Sequence, residues 1–251
     1  MMSRARIRLI RLLLILALLA VWEIYARAFG NTSLIAPPSQ VALALWPKVF
    51  GDARVRAAVG LALFELIAAF GLSVVFGTLL GILIGLTELG RRTTYPFVLL
   101  LYAVPQVILL PLFMLVFGIG AAGKIAFGFT HGIFPILVNT VAGMRNVNPL
   151  LVRGTAALGA SRAQIVRYVI FPHMATTVFA SLRLAMTMTL LGVILAELFV
   201  STAGIGYFTQ LYAENLQPAA LLALIATLAV MAIALNECVR VAEARFTRWK
   251  E

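Results

Sequence analysis

Apolar residues run along this chain in long uninterrupted blocks, not in the stripes of an amphipathic soluble fold. No Asp, Glu, Lys or Arg occurs in 66–87, 93–123, 125–144 or 215–236. Each block reaches the roughly 20 residues that an α-helix needs to cross hydrocarbon. Together with the apolar stretch behind Arg4, Arg6 and Arg8, the pattern predicts six membrane-spanning helices near 7–28, 57–87, 95–117, 124–143, 176–200 and 218–239. A secretory signal ending Ala26-Arg27-Ala28 also fits the first of these. The apolar run continues past a usual signal core through Trp22 and Tyr25, which favours a retained first helix.

Between the first two spans, Ala36-Pro37-Pro38-Ser39 precedes Val41, Leu45 and Val49 at four-residue spacing, the pattern of a loop followed by a short amphipathic helix along the membrane surface. The expected organisation is an N-terminal spanning helix (1–30), an external loop and amphipathic helix (31–56) and a core of five spans (57–251) interrupted by a long loop at 145–172. Pro105, Pro111 and Pro135 fall inside spans, where a missing backbone donor kinks a helix. No internal repeat marks the chain as a self-contained carrier.

Composition agrees: 63% of the 251 residues are hydrophobic and 12% charged, against about a half and a quarter in soluble domains. A net charge of +11 would suggest nucleic acid in a soluble protein, but here the basic residues flank apolar spans. Arg4, Arg6, Arg8, Arg11, Arg91, Arg92, Arg145, Arg153, Arg162, Arg167, Arg240, Arg245, Arg248 and Lys250 fall on one side of the membrane, and Arg27, Lys48, Arg54, Arg56 and Lys124 on the other. The positive-inside rule puts the first set, and both termini, in the cytoplasm. The single Cys238 excludes an internal disulfide and any cysteine-cluster metal site.

The 145–172 loop is dense in helix signals. Asn148-Pro149 reads as an N-cap with proline at the first helical position, and Ser161-Arg162-Ala163-Gln164 as a capping box opening a second short helix. Gly159-Ala160 sits at the joint, where glycine permits φ above zero and close approach by another backbone.

Here the chain resembles the permease motif of ABC importers: Arg153-Gly154-Thr155, then Gly159, then Val169-Ile170-Phe171-Pro172. Arg153 stands where the motif usually has glutamate. The stretches Leu34-Ile35-Ala36-Pro37-Pro38-Ser39, Phe117-Gly118-Ile119-Gly120, Phe134-Pro135-Ile136-Leu137-Val138-Asn139-Thr140, Leu158-Gly159-Ala160-Ser161-Arg162 and Ala203-Gly204-Ile205-Gly206-Tyr207 extend the likeness to the nitrate, sulfonate and taurine permease family over nearly the whole chain. The resemblance implies an all-α polytopic permease with cytoplasmic coupling helices between the fourth and fifth spans. It further implies a second copy of the chain, two cytoplasmic ABC ATPase subunits that bind ATP and Mg, and a periplasmic solute-binding protein. Neither nucleic acid nor a cofactor on this chain is expected. The resemblance also implies that docking to the ATPase is carried by Thr155, Leu158, Gly159, Ala160, Ser161, Arg162, Gln164 and Pro172.

Ionisable residues inside spans mark a pathway by default. Glu65, Arg183 and Glu197 qualify, with Gln106, Asn139 and Thr187 as polar company, and Gln106, Asn139, Arg183, Thr187 and Glu197 form the candidate substrate pathway. Arg183 reads either as an attractive charge for an anionic solute or as a salt bridge near the cytoplasmic end. It lies about 21 Å from Glu197 along a helix, so each needs a partner elsewhere. Gly118 to Lys124 imitates a phosphate-binding loop, but Ile125 replaces the Ser or Thr that holds magnesium. His131 and His173 lack metal-ligand spacing, and no Gly-x-Ser-x-Gly elbow is present, so no enzyme chemistry is indicated. The competing classes are an ion-coupled secondary transporter, which needs carboxylates or histidines arranged at the midplane, and a membrane scaffold.

Overall fold

The structure is a computed structural model describing residues 4–30 and 34–247. Arg248 and Lys250, and residues 31–33 of the external segment, lie outside the described residues. Among the described residues the chain forms α1 (Arg4–Ala28), α2 (Pro38–Ala44), α3 (Ala53–Leu86), α4 (Glu88–Ala103), α5 (Leu110–Phe117), α6 (Ala121–Arg145), α7 (Pro149–Ala157), α8 (Arg162–Ile165), α9 (Phe171–Val200), α10 (Ile205–Glu214) and α11 (Pro218–Thr247). Leu45–Phe50 and Val166–Ile170 are π-helical turns, and Gln106–Leu109 is a 3₁₀ turn.

Helices α1, α3, α6, α9 and α11 are each long and apolar enough to cross a membrane. The expected third span is broken instead: α4 and the segment Gln106–Phe117 meet at 82°. Pro105 is the cause. The residue before a proline is driven out of the helical region, and Val104 is extended at φ −67°, ψ 129°. Pro111 then occupies the first turn of α5, where a missing N–H costs nothing.

The chain divides into two compact units. The first comprises Met1–Gly60 and Ala203–Ala229. Within it the Glu23 carboxylate of α1 caps the start of α2, accepting from Ser39 N at 3.0 Å and Ser39 Oγ at 2.7 Å, while Arg27 Nε donates to the same carboxylate at 2.5 Å. An anion at a helix N-terminus satisfies the free amides and the dipole together. Helix α10 starts behind Gly204, whose φ of +111° suits glycine.

The second unit comprises Leu61–Thr202 and Val230–Glu251. Its centre is a junction of α3, α6 and α9 built on small residues, which let membrane helices approach closely where lipid offers no hydrophobic drive. Lys124, Gly128 and Gly132 share one face of α6 at four-residue spacing. A Cβ added at Gly128 would stand 2.5 Å from Val193 Cγ2 and 3.2 Å from Ala69 Cβ; one at Gly132 would collide with Thr189 Oγ1 and lie 2.6 Å from Ser73 Oγ. Ser73 Oγ lies 2.8 Å from Ala69 O and 3.1 Å from Phe129 O, its single proton shared between the two carbonyls, which ties α3 to α6. Farther along, Gly77 packs on Ile136, Gly81 on Thr140 and Gly85 on Met144.

These pairings determine direction. Numbers on α3 and α6 rise together, so the two helices run parallel, whereas Thr189 and Val193 of α9 fall as α6 rises, so α9 is antiparallel. The chain leaves α3 at Leu86 and must be level with Glu65 again by Lys124. Residues 65 to 85 span about 30 Å at 1.5 Å per residue, the thickness of the hydrocarbon layer. The bent α4–α5 segment therefore makes a full return crossing, and six spans result.

Candidate functional site

Asn148 caps α7, its Oδ1 accepting from Leu150 N at 2.9 Å, with Pro149 at the first helical position. Thr155 Oγ1 donates back to Leu151 O at 2.6 Å. The helix ends in a Schellman closure: Gly159 N bonds Ala156 O at 3.0 Å, and Ala160 N bonds Thr155 O at 3.3 Å. That closure needs a left-handed residue after the cap, and Gly159 has φ +86°. One residue later the capping box forms as expected, with Ser161 N donating to Gln164 Oε1 at 2.7 Å and Gln164 N to Ser161 Oγ at 3.3 Å.

Two fully capped ends thus abut across Gly159-Ala160, which makes the joint stiff. It is also bare. Leu158 is 89% exposed, Arg162 and Gln164 are exposed, and nothing lies within 4 Å of a Cβ built on Gly159. In place of a separate second short helix, α8, the π-helical turn Val166–Ile170 and α9 follow without a break. Pro172 sits in the first turn of α9, directly after the wide turn. The joint is therefore continuous along the chain with a spanning helix.

The intramembrane charges meet elsewhere. Lys124 Nζ on α6 lies 2.7 Å from Glu65 Oε1 on α3 and 3.6 Å from Glu197 Oε1 on α9, with all three side chains at most 2% exposed. The sequence puts Lys124 outside, at the very start of the fourth span; it stands one turn inside α6, on the face that carries Gly128 and Gly132. Two carboxylates on separate spans without a partner on their own helix were the signal for a buried cation, and Lys124 is the sole Lys or Arg between Arg92 and Arg145.

The remaining pathway candidates do not form one cluster. Arg183 Nη1 of α9 pairs with Glu243 Oε2 of α11 at 3.4 Å, and Thr187, one turn on, donates to Arg183 O at 3.1 Å and faces Asn236 Nδ2 at 3.5 Å. Asn139 Nδ2 is engaged on Pro135 O at 2.8 Å within its own helix. Gln106, in the 3₁₀ turn of the broken span, has an enclosed Oε1 that accepts no hydrogen bond among the described residues. His131 packs edge-on against Phe127 with ring centroids 4.6 Å apart, and its Nδ1 lies 3.0 Å from Phe127 O.

Membrane-spanning helices packed on a close glycine junction, with an exposed, doubly capped joint leading into α9, fit the membrane-embedded part of a transporter. The chain belongs to the family of binding-protein-dependent transport system inner membrane components, whose model matches residues 73–250. The taurine transport system permease protein TauC of Escherichia coli (strain K12) is 31% identical over 237 residues, covering 92% of this chain and 86% of that protein. The formylaminopyrimidine transport permease protein ThiX of Halalkalibacterium halodurans is 28% identical over 79% of this chain and 78% of its own. For the nitrate import permease protein NrtB of Synechococcus elongatus the identity is 25%, over 76% and 71%. An inward-facing structure of the MetNI methionine ABC transporter superposes with a TM-score of 0.62 at 18% identity, over 78% of this chain and 95% of that one, a likeness of fold. The chain is the permease subunit of an ABC importer.

Proposed function

We propose that two copies of this chain form the pathway of the importer, that each seats its α7–α8 joint on a cytoplasmic ABC ATPase subunit, and that a periplasmic binding protein delivers the solute. The observation that carries this reading is the joint itself: an exposed, doubly capped corner with glycine at the apex, continuous with a spanning helix. ATP and Mg bind the partner ATPase, whose closure rocks α9 through the joint; this chain hydrolyses no ATP. Both termini face the cytoplasm, a reading the arginine distribution supports, and the membrane is the bacterial inner membrane.

The solute is a small anion-bearing molecule of the sulfonate, taurine or nitrate kind, by similarity to the taurine and nitrate permeases. The test is uptake into proteoliposomes holding the chain with its ATPase and binding protein, assayed with taurine, an alkanesulfonate and nitrate. Uptake of one of these that requires internal ATP is expected. Uptake by the chain alone, driven by a proton or sodium gradient, would overturn the proposal.

A further inference from the structure

The transport reading leaves unused a cavity where α3 and α6 end. Thr87 caps α4, accepting from Gly90 N at 3.0 Å, and brings Glu88, Arg91 and Arg92 onto its first turn. Arg91 Nη2 and Arg92 Nε bind the two oxygens of Glu88 at 2.6 Å each, and Arg91 Nη1 also reaches Gly85 O at 3.3 Å. Arg145, the last residue of α6, lines the same cavity, which is open to its surroundings and has a volume of about 400 Å³. Among the described residues no ion pair engages the Arg145 guanidinium.

Three guanidinium groups and one carboxylate line the cavity, so it carries a formal charge of +2 at neutral pH. Each guanidinium has five donors in a fixed fork, and the two on α4 are oriented by Glu88 while leaving donors turned away from it. A planar fork matches the oxygens of a phosphate group two at a time. The volume lies within the usual range for small-ligand sites.

Depth points to where the phosphate comes from. Leu86 closes the 34-residue apolar helix α3, so Glu88 stands at the boundary between hydrocarbon and water. Leu86 and Leu89, which flank Thr87 and Glu88 in the chain, are 45% and 73% exposed. A headgroup held by the arginines would lay its acyl chains along those leucines, and basic clusters at this level attract anionic lipid.

We propose that Arg91, Arg92 and Arg145 form a phosphate-binding site, filled by the headgroup of an anionic phospholipid or by free phosphate. The proposal is independent of which solute the importer carries. The full chain is placed in nanodiscs of phosphatidylcholine with phosphatidylglycerol, and lipid retained after extraction is measured by native mass spectrometry, with inorganic phosphate as a separate probe. Enrichment of phosphatidylglycerol that falls about 5-fold in Arg145→Gln and again in Arg91→Gln, but not in the charge-matched control Arg245→Gln, supports the site with lipid as its source. Phosphate binding by the unmodified chain that Arg145→Gln abolishes, without lipid enrichment, supports it with free phosphate as the source. Equal loss in Arg245→Gln, no anion preference at all, or loss only of ATPase co-purification with lipid retention unchanged would each overturn it.

Discussion

Lys124 Nζ stands 2.7 Å from Glu65 Oε1, an ion pair between α6 and α3 with both side chains fully enclosed. Glu197 approaches the same ammonium from α9 at 3.6 Å. Removing one partner from such a group strands charge in a low-dielectric interior, costing about 3–5 kcal/mol. Lys124→Met is therefore expected to lower the thermal unfolding midpoint of the purified chain sharply, and adding Glu65→Gln to recover part of the loss. In a double-mutant cycle the coupling of position 124 to 65 exceeds its coupling to 197, following the two distances. An unchanged midpoint in Lys124→Met would refute the assigned role of the ammonium.

Four residues along from the triad's next layer, Gly132 lies between Ser73 and Thr189 with no room for a Cβ. Gly132→Val should destabilise by at least the ~1–3 kcal/mol typical of overpacking. Gly154→Val, at a position with open space, serves as comparison. Equal unfolding midpoints for the two would contradict the close junction of α3, α6 and α9.

At the joint, Gly159→Ala tests backbone strain alone, about 1–2 kcal/mol for a left-handed residue, because its methyl group meets nothing in this chain. Gly159→Trp adds bulk that points outward, so insertion should survive while ATPase co-purification and uptake are lost. Ser161→Ala removes a cap worth about 1 kcal/mol and should weaken uptake only mildly. Normal ATPase association in Gly159→Trp would remove the joint from the coupling mechanism.

Topology reporters provide a fourth check. Fusions after Arg92 and after the last residue should read cytoplasmic, as the arginine distribution predicts, and one inserted beside Asp52 periplasmic, because α3 crosses between Asp52 and Arg92. A periplasmic reading after Arg92 is incompatible with six spans in this orientation.

Much of this is legible in the sequence. The uncharged blocks located the spans to within a few residues at most ends, because a helix in hydrocarbon must satisfy its own backbone and so must be long and apolar. Asn148-Pro149 and Ser161 to Gln164 predicted two caps that form as expected, since capping involves residues within three positions of one another. The break at Val104-Pro105 was only half legible: the proline signalled a kink, but whether the chain turned back or went across depended on where α6 packs.

Lys124 shows the limit most plainly. Its neighbourhood Gly118 to Gly123 reads as an exposed turn, and its charge as a flanking anchor, because local pattern weighs a lysine only against water and headgroups. The decisive terms come from Glu65 and Glu197, remote in sequence and both on other helices. Sequence by itself determined which segments enter the membrane, where helices are capped and which side gathers arginine, all properties of single segments and their solvent. Tertiary structure alone decided that α3 and α6 run parallel, that a lysine is drawn into the interior and that Arg183 faces Glu243. Those outcomes depend on which glycine faces admit a neighbouring helix, and pairing across helices is a property of no segment taken alone.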